Sequence, residues 1–147
     1  MIENISYAWL HDGVSLLLAP ALLALLAACA IAALEAGIAV GERFNGLAKL
    51  RASGNAAHVQ ALARHRLERA DLLARIPPML GLMATIIPLG PGLAALGQGN
   101  PAQLASAVTV AFDATVLGLV AGIAGLVIGK LRRRWYEETL EAMEHAA

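Results

Sequence analysis

The sequence predicts an all-α integral membrane domain with three spanning helices, and three observations predict it. Hydrophobic residues make up 59% of the chain and charged ones 15%, with a mean hydropathy of +0.66, whereas soluble domains are roughly 45–50% apolar and about 25% charged. Two charge-free runs and a third with one carboxylate are long enough, at about 1.5 Å per residue, to cross a hydrocarbon layer of roughly 30 Å. All 11 Lys and Arg residues fall in two segments, from Gly41 to Arg75 and after Gly129. The 147 residues make a single membrane domain over 1–147, with spans at about 14–34, 79–97 and 102–129, a loop at 41–75 and a tail at 130–147.

The first span, Val14 to Leu34, holds no charge and is followed by Glu35. The loop beyond it is too charged for lipid. Its second half, Asn55 to Ile76, carries Asn55 as a candidate N-cap, the i,i+4 pairs Arg64/Glu68 and Asp71/Arg75, and apolar Val59, Leu62, Leu67, Leu73 and Ile76. This pattern predicts a helix that ends at Pro77-Pro78. The second span, Met79 to Gly97, contains Gly81, Pro88, Gly90, Pro91 and Gly92, which membrane helices tolerate because neighbouring helices and Thr hydroxyls re-satisfy the freed backbone groups. A polar turn, Gln98 to Pro101, leads to the third span, Ala102 to Gly129, whose single charge is Asp113.

The charge segregation also sets a direction. By the positive-inside rule both basic segments are cytoplasmic, so the N-terminus lies outside and the C-terminus inside the cytoplasmic membrane. Tyr7 and Trp9 at one end, and Trp135 and Tyr136 at the other, fit aromatic belts at opposite interfaces. Leu26 to Cys29 resembles a lipoprotein cleavage box, but no basic segment precedes it and apolar sequence continues past it, so Cys29 is read as a packed membrane residue. The balanced charge points to no nucleic-acid partner, and one cysteine forms no internal disulfide.

Small residues run in stripes. In the third span Ala111, Thr115, Gly118, Gly122, Gly125 and Gly129 recur at spacings of 4, 3, 4, 3 and 4, and in the second Gly81, Thr85, Pro88, Gly92, Ala95 and Gly99 do the same. Such seams let membrane helices pack closely, for helix contact or an oligomer interface. Thr85 and Thr115 sit on them, where the bland expectation is a hydroxyl bonded to the carbonyl one turn back. Asp113 lies about 200° round the helix from Thr115. A carboxylate inside a span is a functional candidate by default, the plainer alternative being a bond to Ser106, Thr109 or Gln98. Glu35 is expected to snorkel to the headgroups, and Arg132, Arg133 and Arg134 to meet anionic lipid. The four His residues are scattered through polar segments, and no nucleophile and base pair, phosphate loop or metal motif is present.

Two stretches carry a resemblance. Pro78-Met79-Leu80-Gly81-Leu82-Met83-Ala84-Thr85-Ile86-Ile87 and Ala111-Phe112-Asp113-Ala114-Thr115-Val116-Leu117-Gly118-Leu119 resemble the two signature helices of the MotA/TolQ/ExbB proton-channel family, and the order of spans, loop and outer turn agrees. The specific likeness covers Ile76 to Tyr136. It implies a homo-oligomeric ring, typically a pentamer, around the single span of an ExbD/TolR/MotB-like partner, coupling proton or sodium flow to mechanical work in the envelope. Thr85 and Thr115 fall on the family's paired threonines along the ion path, while a carboxylate of the partner usually carries the proton. Ala84 replaces a common Gly, and an acidic residue that some members carry in the third span would fall on Val110, marking a short, divergent branch.

The functional expectation is therefore an ion-channel-forming subunit and no enzyme. Thr85, Thr115 and Asp113 are the ion-path candidates. Gly81, Pro88, Gly92, Ala111, Gly118, Gly122, Gly125 and Gly129 are the packing or interface candidates. Nothing calls for a cofactor beyond the transported proton or sodium. A non-conducting membrane scaffold built on the same seams is the alternative.

Overall fold

The computed structural model describes residues 13–43 and 56–145. Three helices follow in order: α1 (Leu18–Gly41), α2 (Ala56–Gly97) and α3 (Pro101–Glu144). Each is long and apolar enough to cross a membrane. Leu16, Leu34 and Phe112 keep 78%, 67% and 66% of their surface exposed. Water would penalise such surface by about 25 cal/mol per Å² and lipid would not, so the chain is a multi-pass membrane protein.

Local chemistry explains the element ends. Pro20 has no N–H to offer the carbonyl of Leu16, and the helical turn that starts at Gly13 breaks at Leu17 before α1 begins. At the end of α2, Gly99 takes φ +80, Gly99 N donates to Leu96 O at 3.0 Å and Asn100 N to Ala95 O at 3.0 Å, a glycine-based C-terminal cap. Asn100 then caps α3. Its Oδ1 accepts from Gln103 N at 3.3 Å, and Pro101 occupies the first helical position, where its missing N–H costs nothing.

One expectation is corrected. The helix predicted to end at Pro77-Pro78 does not end there, and α2 runs unbroken through Pro77, Pro78, Pro88 and Pro91. Two prolines remove the donors that the Leu73 and Ala74 carbonyls would receive, yet Leu73 and Ala74 are held against Gly125 and Pro77 against Gly118. Packing overrides the local penalty, as the membrane rule for proline allows. The i,i+4 pairs Arg64/Glu68 and Asp71/Arg75 form, at 3.1 and 3.2 Å. Asn55, Tyr7 and Trp9 lie outside the described residues.

The chain divides into two compact units: the described residues through Cys29 with Pro77–Val120, and Ala30–Ile76 with the residues from Ala121 onward. In the first, Leu25, Ala84 and Ala114 are buried together, flanked by Leu18, Leu22, Cys29 and Leu80. The Cys29 thiol donates to Leu117 O at 3.7 Å, consistent with a packed residue. In the second, Ala39, Ala70 and Ile128 form one cluster. Val59, Ala63 and Tyr136, flanked by Leu140 and Met143, form another.

Candidate functional site

Close approach of α2 and α3 in the first unit is built on glycines from both seams. A Cβ on Gly118 would stand 2.6 Å from Pro77 O and 3.1 Å from Gly81 Cα, and one on Gly81 would stand 2.9 Å from Ala114 O. Only glycine fits either place. One step along, Gly92 lies against Ala107 and Leu104, where a Cβ would stand 3.0 and 3.2 Å away. Ala111 is buried and Pro88 half-buried, and Gly122, which belongs to the second unit, is buried. In the second unit the same seam continues, with a Cβ on Gly125 reaching Ala74 N at 2.6 Å and one on Gly129 reaching Ala70 at 3.3 Å.

This approach brings Thr85 and Thr115 together. Their hydroxyls are in direct hydrogen-bond contact. The Thr85 hydroxyl also reaches Gly81 O at 2.8 Å and Ala111 O at 3.1 Å, and that of Thr115 reaches Ala111 O at 3.0 Å. Bonding to the carbonyl one turn back therefore coexists with pairing between the helices. Two hydroxyl protons serve these contacts, so they cannot all be donated at once. The cluster keeps oxygen lone pairs free to accept a proton or help solvate an ion. Both threonines are half-buried.

Asp113 stands apart from the pair. Its side chain is exposed, and among the described residues it has no hydrogen bond or ion pair within the chain. The expected bond to Thr109 is not formed, because the Thr109 hydroxyl donates to Ala105 O at 3.0 Å. Nor does Ser106 or Gln98 take up the carboxylate. A charge near the middle of a helix in lipid costs about 2.5–3.5 kcal/mol on insertion scales, and nothing among the described residues offsets it.

The second unit holds a charge cluster that sequence reasoning missed. Glu35, expected to snorkel, is 6% exposed, and Arg132, expected at the lipid headgroups, is 0% exposed. Arg132 Nη1 donates to Glu35 Oε2 at 2.6 Å and its Nε to Glu42 Oε2 at 3.1 Å. Arg66 pairs with Glu42, and Arg69 lies 3.5 Å from Glu35. Three helical segments thus meet on one ionic cluster, because an unpaired buried charge would cost several kcal/mol. Arg133 and Arg134 stay exposed, paired with Glu137 and Glu138 at 3.0 and 2.9 Å.

Tyr136 departs from expectation as well. Rather than sitting in an aromatic belt, it is 3% exposed, packed on Val59 and Ala63. Burial raises its phenol above the ordinary 10.0, against the lowering pull of Arg66 and Arg132. Trp135 is half-buried, with the Arg43 guanidinium 5.2 Å from its ring centre. A signal for these residues was present. Carried past Gly129 at alternating steps of 3 and 4, the α3 seam falls on Arg132, Tyr136, Thr139 and Met143, and the first three are buried.

Residues 42–145 match the MotA/TolQ/ExbB proton channel family, a span that takes in the polar loop and both seamed helices but not the first span. No curated protein and no solved structure matches the chain.

Proposed function

The chain belongs to the MotA/TolQ/ExbB proton channel family, and from that premise we propose that it is the channel-forming subunit of an energy-transducing, stator-type complex in the cytoplasmic membrane. Copies assemble as a pentameric ring, with the N-terminus outside and the C-terminus in the cytoplasm. An ExbD/TolR/MotB-like partner with a single span completes the ion path, and proton or sodium flow through it drives mechanical work in the envelope. The observation that carries the reading is the hydroxyl pair of Thr85 and Thr115, a polar spot on an otherwise apolar seam. Its free lone pairs suit an ion that must be held weakly enough to leave again. The distribution of all 11 basic residues supports the orientation.

The scaffold alternative gains no support from Gly81, Gly92, Gly118, Gly125 and Gly129, since these face the neighbouring helix of the same chain. The decisive experiment is proton flux into vesicles that hold the ring with its partner. Thr115→Val keeps the side chain's size and removes the hydroxyl, and it is expected to abolish most of the flux while leaving the assembly intact by mass. A Thr115→Val ring that conducts and transduces like the parent overturns the assignment.

A further inference from the structure

Asp113 poses a problem of neutralisation that the chain does not solve by itself. The residue lies 11 positions after Ala102 and 16 before Gly129, which places it within about 4 Å of the middle of the third span at 1.5 Å per residue. It is exposed there and has no partner among the described residues. From Ile76 to Gly129 the sequence contains no Lys, Arg or His, and neither does α1. Further copies inserted in the same direction therefore bring no base to its depth, however many assemble. No other acidic residue lies on α3 before Glu137 or on α2 after Asp71. The titratable groups of α1 are Glu35, which is held by Arg132, and the Cys29 thiol, which donates to Leu117 O. A ring would set several such carboxylates in lipid or around an axis with no base of its own to balance them.

Ser106 and Thr109 are the second observation. At 100° per residue they fall within about 40° of Asp113 on the same face of α3, and all three are exposed. They form a polar stripe from the Pro101 end of the helix inward to the carboxylate, on the face away from the Thr85–Thr115 contact. Sodium needs several oxygen ligands at once. Among the described residues no other oxygen is in bonding contact with the carboxylate. A proton needs a single acceptor.

We propose that Asp113 is a proton-binding carboxylate supplied by the ring itself, reached along Ser106 and Thr109 and separate from the threonine pair. The inference rests on the ion-passage reading above and adds a second polar station to it. A partner's carboxylate is then not the sole proton carrier in the path.

A hydrophobic carbodiimide tests this without needing transport. It reacts with a protonated carboxyl out of water: the acid's proton moves to a carbodiimide nitrogen, the carboxylate oxygen bonds the central carbon, and the O-acylisourea rearranges to a stable N-acylurea. The native assembly in vesicles is treated, digested and read by mass spectrometry. Expected is modification at Asp113, with sodium and potassium buffers giving equal rates. An unmodified Asp113 at every pH, or protection by sodium alone, overturns the proposal. In the flux assay Asp113→Asn should lower the rate at least about tenfold and Asp113→Glu should restore it, and unchanged flux in Asp113→Asn also overturns it. If the parent carries no flux at all, the channel reading fails, while the labelling still reports on the carboxylate.

Discussion

Gly118 offers the sharpest test of how α2 and α3 are held. Gly118→Ala would place a methyl 2.6 Å from Pro77 O, whereas ordinary contact begins at 3.4 Å, so one backbone must retreat by about 0.8 Å. Neither obstacle is a flexible side chain. Overpacking of this kind costs about 1–3 kcal/mol, but alanine also gains up to about 1 kcal/mol over glycine in a helix interior. Gly37→Ala provides the matched control, because nothing lies within 4 Å of a Cβ there and the propensity gain appears alone. The difference between the two variants isolates the steric cost and should be about 1–3 kcal/mol. Unfolding by SDS titration in mixed micelles measures it. Equal shifts for Gly118→Ala and Gly37→Ala would refute the claim that the seam is closed to a methyl group.

Two further outcomes follow from the second unit. Arg132→Met strips Glu35 and Glu42 of a buried partner and should destabilise by roughly 3 kcal/mol, the low end for a broken buried pair because Arg66 and Arg69 remain nearby. Adding Glu35→Gln should recover part of that loss in the same micelle assay, and a double variant no better than the single would contradict the ionic account. Folding holds the Tyr136 proton more tightly than the unfolded chain does. Its contribution to stability is therefore complete below pH 10.0 and fades as pH rises through the raised value. Phenolate absorbance of a Tyr7→Phe variant should show a midpoint above 10.0, and a midpoint at or below it would remove the burial effect.

Helix number and both seams were legible because lipid imposes length and smallness, and each leaves a local pattern. Thr85 and Thr115 could be placed on facing stripes by counting residues, and the polar turn at Gln98 to Pro101 held its glycine and asparagine where caps need them. The continuation of α2 through Pro77-Pro78 was not legible, since a proline's local penalty is visible in sequence and the backbone packed against it is not. Arg132 was misplaced for a related reason. Basic residues after a span usually meet headgroups, and the partners that drew this one inward lie on a distant part of the chain. Tyr136 followed the same logic, because an aromatic residue just past a span reads as an interface anchor until the helix facing it is known. The seam's own rhythm pointed to both, but its residues change there from glycine to large polar side chains.

The distance along the chain between Glu35 and Arg132 has a consequence for how the molecule is made. The two partners are separated by 97 positions, so at about 5–20 residues per second the acid emerges on the order of 5 to 20 s before its counterpart exists. Throughout that interval Glu35 must stay hydrated at the bilayer surface, and the final seating of the first helix waits for the last to be translated. A nascent chain that stops short of Arg132 would leave both acids without their buried partner and with only Arg66 and Arg69 beside them, a ready mark by which membrane quality control could tell finished copies from unfinished ones.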